Sequence, residues 1–310
     1  MDMDESKSNT GVGGLLKLGL RPTGSVVWVG PAWAVLCGAV ASGALERDWH
    51  LVVSVLLAVI LADPVLSTVW SLATRDEYYP ASGASNNPSQ GFTLPTLPYT
   101  LPDSIAGRLR DLLGERLTSW RSTVWPRAGQ MLLAMGFASA VALLIAAVLG
   151  LAPIALAVAI LGASAVRLML RDTPDALDGV LGGFVLAGAP WLLGYVVLAN
   201  ALTGGQGLTT FMTALLGAAT YAGVFRGSSL IAERRLSVGA NVLTLFQMIA
   251  ISVLILTRQP IFGAAVALLL LPQVMLQPLM LRLGDGDWYL RRVQGFAMLA
   301  MLTMAAALAI

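Results

Sequence analysis

Apolar runs recur along the chain, each close to the length of a membrane crossing and parted by polar breaks. A spanning helix needs about 20 apolar residues. Nine runs meet that length, at about 24–44, 51–72, 128–149, 152–170, 177–199, 208–225, 238–257, 261–281 and 293–309. Two breaks, GLA at 149–151 and TRQP at 257–260, are short enough to predict helical hairpins. One break is long, from about 73 to 127. Its first part, ASGASNNPSQGFTLPTLPYTLP, is rich in Pro, Ser, Asn and Gly and predicts irregular chain. The following DSIAGRLRDLLGERLTSWRS sets Ile105, Leu109, Leu113, Leu117 and Trp120 on one stripe, with Arg108, Asp111, Glu115 and Arg121 off it. Arg116 falls within the stripe, where its stem can snorkel. This pattern predicts an interfacial helix at about 103–121, capped by Asp103 or Ser104. A membrane anchor and a lid over a cavity both fit it.

Composition agrees with the pattern. Hydrophobic residues make up 57% and charged residues 12% of the 310, and mean hydropathy is +0.78. Soluble domains carry roughly 25% charge, so the chain reads as an all-α, polytopic membrane protein. Its organisation is a polar tail at 1–23, with no secretory leader expected, and one transmembrane domain at 24–310. The single Cys37 excludes an internal disulfide or a cysteine metal cluster, and the single His50 excludes a paired-histidine zinc site. Charge then orients the spans. With the N-terminus cytoplasmic, every Lys and Arg except Arg47 and Arg258 falls on the cytoplasmic side, as the positive-inside rule requires. The expected location is the inner membrane, with the lipid bilayer as partner and no nucleic acid.

Three segments carry a likeness to a known family. Residues 20–43, LRPTGSVVWVGPAWAVLCGAVASG, hold Arg21-Pro22, Trp28, Pro31, Trp33, Cys37-Gly38 and Ser42-Gly43. They resemble the opening of chlorophyll and bacteriochlorophyll synthases, members of the UbiA superfamily of intramembrane prenyltransferases. Residues 164–194, with Ala189-Pro190-Trp191, are similar to the passage from the fourth helix into the fifth in that family. The C-terminal stretch with Asp287-Trp288-Tyr289 is similar to the entry into its last helix. The resemblance implies nine helices around a central cavity that opens toward the cytoplasm. It also implies two aspartate-rich motifs at the mouth, holding Mg²⁺ against the diphosphate of a prenyl donor. Mg²⁺ is a hard cation that binds carboxylates and bridges to phosphates.

The chain departs from both motifs. Against the first stand Ala73-Thr74-Arg75-Asp76-Glu77 and, at the last acidic position, Ala81. Glu77 alone is an acid in register; Asp76 is out of register, and Arg75 is a cation where a metal needs anions. Against the second stands VFRGSSLIAERRLSVGAN at 224–241, whose one acid is Glu233, flanked by Arg234 and Arg235. An ion pair at a helix end explains that acid, and Arg226 and Arg234 are candidates to bind a phosphate or carboxylate directly.

Other acids are weighed separately. Asp172, Asp175 and Asp178 are a candidate cation site, with Asp172 and Asp175 joining Glu77 as candidate metal ligands. Thr173-Pro174-Asp175 also reads as a helix start. Asp63 lies inside the second span beside Pro64, which predicts a kink. An intramembrane carboxylate faces a cavity or a partner, and Arg167 is a candidate partner. The glycines of LGGF at 181–184 read as packing glycines.

Two functions compete. The favoured one is a non-catalytic or repurposed protein of this fold. It binds an isoprenoid, a quinone, a tetrapyrrole pigment or a photosynthetic membrane complex. The alternative is an active prenyltransferase acting on a tetrapyrrole or aromatic acceptor, with Mg²⁺ in a modified site built from Asp76, Glu77, Glu233 and the 172–178 acids.

Overall fold

The computed structural model describes residues 30–44, 49–74, 125–169, 175–201 and 208–310. Among them nine helices follow one another, with no strand. They are α1 (Pro31–Ala41), α2 (Trp49–Thr74), α3 (Trp125–Leu149), α4 (Leu151–Met169), α5 (175–201), α6 (Leu208–Ala232), α7 (Leu236–Leu256), α8 (Pro260–Leu283) and α9 (Gly286–Leu308). Six of these, α2, α3, α4, α5, α7 and α8, are long and apolar enough to cross a membrane, and α1 is a shorter apolar helix. The protein is therefore a helical membrane protein. The interfacial helix expected at 103–121 lies outside the described residues.

Local sequence sets the helix ends. Pro31 occupies the first turn of α1, where its missing N–H costs nothing. Gly284 ends α8 at φ 67°, a left-handed position that glycine takes without strain. The Asp285 carboxylate then caps α9 by accepting from the Trp288 N–H at 2.9 Å. The short connections appear as expected: Gly150 joins α3 to α4, and Thr257 to Gln259 join α7 to α8. Two helices widen into π-helical turns, Leu61–Leu66 in α2 and Phe184–Gly188 in α5. Pro64 lies inside the first and Pro190 two residues past the second, and a proline's absent N–H breaks the regular ladder. The kink expected at Pro64 is thus a π turn, held by Ser67 and Thr68 hydroxyls donating to the Asp63 and Pro64 carbonyls.

Two predicted boundaries are corrected. Helix α6 continues past residue 225 to Ala232, so Arg226 lies within it. Helix α9 begins at Gly286, ahead of the apolar run predicted from 293. In both places polar residues end the hydropathy signal while the backbone goes on turning.

The chain forms two compact units, Met1–Ala73 with Ala138–Ile310, and Thr74–Phe137. In the second, the description covers Thr74 and the first half of α3, where Met131 and Met135 are buried. In the first, α5 is the central helix. Two-thirds of its most apolar stretch (67%) is buried, against 39% or less in the other five candidate spans. One side of α5 joins Val185, Ala189 and Leu193 to Leu61, Leu66, Ala146 and Ile160. Its other side joins Trp191 and Tyr195 to Ala34, Cys37, Tyr221 and Met301. The Trp191 ring lies parallel to Tyr195, with centroids 6.0 Å apart, and tilts against Tyr221 at 5.8 Å.

α1 and α5 meet backbone to backbone. A Cβ on Gly38 would overlap the Trp191 carbonyl, and one on Gly194 would overlap the Val35 carbonyl. Small residues permit this approach, and dispersion between the backbones then holds the pair. Helices α6, α7, α8 and α9 form a further core of Val224, Ile231, Leu243, Met280 and Tyr289. Short connections make the helices alternate in direction. Arg226, Arg234, Arg235, Arg282, Arg291 and Arg292 thus lie at one end and Arg258 at the other.

Candidate functional site

The last turns of α6 build the best-defined charged site. Arg226, Ser229 and Glu233 follow at intervals of three and four, so they share one helix face. The Arg226 guanidinium donates to the Glu233 carboxylate at 3.1 Å and to the Ser229 hydroxyl at 3.4 Å. That hydroxyl donates in turn to the Arg226 carbonyl at 2.9 Å. Arg226 is mostly covered, with 19% of its side chain exposed, whereas Glu233 is 48% exposed. Gly179 makes room for the guanidinium, because a Cβ there would occupy the same space. One turn further along α5, Gly182 lies 3.7 Å from the Trp70 ring, measured from its Cβ position. The ends of α2 and α6 and the start of α5 therefore converge. Among the described residues Arg226 is a cation at that junction.

Past Glu233 the chain turns sharply. Arg234 is left-handed at φ 63°, and the Arg235 N–H reaches the Leu230 carbonyl at 2.9 Å. A non-glycine residue in this conformation is strained. Both Glu233 and Arg234 point outward and are exposed. The ion pair expected at this helix end exists, but it runs to Arg226, two turns back, and not to the flanking Arg234.

The remaining candidates divide. Arg75, Asp76, Glu77 and Asp172 lie outside the described residues. Asp175 is the first residue of α5, and its side chain lies outside the description. Asp63 is half-buried in the π turn of α2. Arg167 sits in the last turn of α4, 9% exposed. The LGGF glycines act in packing as expected: beside Gly182, Gly183 places a Cβ position 2.9 Å from the Ala222 carbonyl.

Chemically, this face of α6 suits an anion better than a metal. Among the described residues no three His, Cys, Asp or Glu side chains gather where they could hold a metal ion. Glu233 is engaged by a guanidinium, and a second cation there would be repelled. A guanidinium has five donors in a fixed fork that matches carboxylate and phosphate oxygens.

A second polar group, missed in the sequence reading, lies between α7 and α8. Gln247 donates to the Gln273 side-chain oxygen at 2.5 Å. About one turn away, Gln277 donates to the Thr244 hydroxyl at 2.9 Å. The Tyr289 hydroxyl of α9 donates to the Gln273 carbonyl at 3.1 Å. The available signal was the spacing, Thr244 and Gln247 on one helix and Gln273 and Gln277 on the next, each pair on one face of an apolar span.

Comparison with protein-family models, curated proteins and solved structures finds no match.

Proposed function

We propose that the chain is a divergent, non-catalytic member of the UbiA superfamily, with chlorophyll-synthase-like ancestry. In this reading it spans the inner membrane nine times with its N-terminus in the cytoplasm. It holds an isoprenoid, a quinone or a tetrapyrrole pigment whose anionic group meets Arg226. The supporting observation is the Arg226–Glu233 ion pair at 3.1 Å. At the position where the resemblance implies a second metal motif, the one acid is committed to a guanidinium. Arg234 and Arg235 follow it directly. These residues do not suit Mg²⁺, whereas Arg226 suits a propionate or a diphosphate.

The clustering of basic residues at one end supports the orientation. Without metal stabilisation of the leaving diphosphate, the dominant electrostatic contribution to prenyl transfer is missing from this half of the mouth.

The test uses the full-length protein purified in mild detergent. Co-purifying small molecules are identified by mass spectrometry, and absorption is recorded through the visible and near infrared. A stoichiometric isoprenoid, quinone or tetrapyrrole, with no prenyl transfer to chlorophyllide in Mg²⁺, is the expected result. Turnover of a prenyl diphosphate in Mg²⁺ overturns it. Loss of that turnover in Glu77→Gln or Glu233→Gln would assign those acids to an active transferase.

A further inference from the structure

The outer faces of α8 and α9 carry a pattern that neither the ion pair on α6 nor the glutamine seam uses. On α8, Leu268, Leu271, Met275 and Leu279 recur at intervals of three and four, all exposed, and Arg282 ends the stripe. On α9, Arg292 begins a stripe that Phe296 and Leu299 continue, again exposed and at helical spacing. The two helices are joined by the turn at Gly284 and pack against each other. Each thus presents an exposed apolar track, topped by an arginine at the same end of the bundle.

The hairpin also brings the two guanidiniums toward one depth. Arg282 stands two residues before Gly284 and Arg292 eight after it. At 1.5 Å per residue their Cα atoms are offset by about 9 Å along the helices. A helical side chain leans toward the N-terminus of its own helix. In antiparallel neighbours those leans oppose, so Arg282 leans toward the middle of the bundle and Arg292 toward the turn. Both leans close the offset. The Arg292 guanidinium indeed lies over the Trp288 ring, one helical turn nearer Gly284, at 4.7 Å from its centroid. Met280, two residues from Arg282, and Val293, beside Arg292, belong to one buried core, against which Trp288 packs.

Trp288 takes the guanidinium by its face, which leaves the in-plane N–H donors available. Among the described residues neither Arg282 nor Arg292 has a carboxylate partner. Of the two acids nearby, the Asp285 carboxylate caps α9, and Asp287 makes no ion pair among those residues. Two such cations above two apolar tracks fit an amphiphile with an anionic head. A soluble anion would leave the tracks bare. A zwitterionic lipid would bring a cation of its own to the arginines. A phosphate suits the guanidinium fork, and basic clefts between spans suit anionic head groups.

We infer that the α8–α9 hairpin is a binding site for an anionic phospholipid, its phosphate held between Arg282 and Arg292 and its acyl chains lying on the exposed stripes beneath them. The site shares no residue with the Arg226 face and stands whether or not that face binds an anion.

Native mass spectrometry of the full protein in detergent, titrated with phosphatidylglycerol or with phosphatidylcholine of the same chains, reads the occupancy of the first bound lipid. Phosphatidylglycerol should bind several-fold more tightly. Arg282→Gln and Arg292→Gln should each weaken it by about fivefold, the effect of one arginine at a membrane surface, and leave phosphatidylcholine nearly unchanged. Both side chains are exposed, so both variants should fold, and their melting temperatures check this. Arg258→Gln, at the opposite end of the bundle, should bind phosphatidylglycerol as the unaltered protein does. Equal binding of the two lipids by the unaltered protein overturns the inference. So does unchanged phosphatidylglycerol binding in the variant that carries both Arg282→Gln and Arg292→Gln. A loss in Arg258→Gln equal to that in Arg282→Gln also overturns it, because any surface charge would then serve.

Discussion

The α1–α5 contact and the α7–α8 contact join neighbouring helices by different physics. At the first, Gly38 and Gly194 bring backbones together, and no polar side chain bridges the helices among the hydrogen bonds of the described residues. At the second, Gln247 with Gln273 and Thr244 with Gln277 span the gap. In lipid, apolar contact alone gives little net drive, because tails are as apolar as leucine. Close approach works by gaining dispersion that lipid cannot match. Interhelical hydrogen bonds work because the alternative is an unpaired group in hydrocarbon, and they average about 0.6 kcal/mol. The first contact is rigid and intolerant of volume. The second tolerates volume and is sensitive to satisfaction.

Adding bulk where backbones touch should have the largest effect. Gly38→Leu sets a branched side chain against the Trp191 carbonyl, which cannot give way as a side-chain tip can. Overpacking ordinarily costs about 1–3 kcal/mol, occasionally more, and a backbone collision belongs at or beyond the upper limit. The expected outcome is loss of the monodisperse peak in fluorescence-detected size exclusion. A variant with unchanged melting would mean that α1 does not lie on α5 as described.

A double-mutant cycle on the glutamines comes next. Gln247→Leu or Gln273→Leu alone leaves its partner unsatisfied and should destabilise by about 1–3 kcal/mol. The double Leu variant should cost less than the two single losses added together, because it leaves neither amide unpaired. Thermal unfolding in detergent measures the coupling. Additive losses would deny the pairing. Thr244→Val lies lower on the scale, at about 0.6 kcal/mol per bond lost, since the Thr244 hydroxyl accepts from Gln277 at 2.9 Å and donates to it at 3.4 Å.

The apolar runs made the helices legible, because bilayer thickness imposes a length that hydropathy detects. The hairpins at Gly150 and Arg258 and the break at Pro64 were legible for equally local reasons. The centrality of α5 was not. Apolar residues suit both lipid and protein neighbours, so Trp191 and Leu133 carry the same signal while one is buried and the other is 67% exposed. The end of α6 was misread because hydropathy stops at Arg226 while helix formation does not. The ion pair at the candidate site was anticipated, but its partner was not. Arg226 and Glu233 are seven residues apart and meet only because the helix runs on between them. The Gln247–Gln273 pair lies between helices: spacing puts Thr244 with Gln247, and Gln273 with Gln277, on one face of each helix but does not say that the two faces meet.

The smallest stability effect belongs to that ion pair, a third kind of contact on the same bundle. Glu233 is about half exposed, so solvent screens the pair, and exposed pairs are worth about 0–1 kcal/mol. Glu233→Gln should therefore leave the melting temperature nearly unchanged. Its effect should appear in binding. With the carboxylate gone, the Arg226 guanidinium has its donors free for an external anion, held in place by Gly179 and Ser229. Inorganic pyrophosphate, titrated without Mg²⁺ by calorimetry, should bind more tightly to Glu233→Gln than to the unaltered protein, and Arg226→Gln should weaken it. Identical affinities in all three would remove Arg226 as an anion-binding group. The glutamine and glycine contacts would be untouched by that outcome, since neither uses charge.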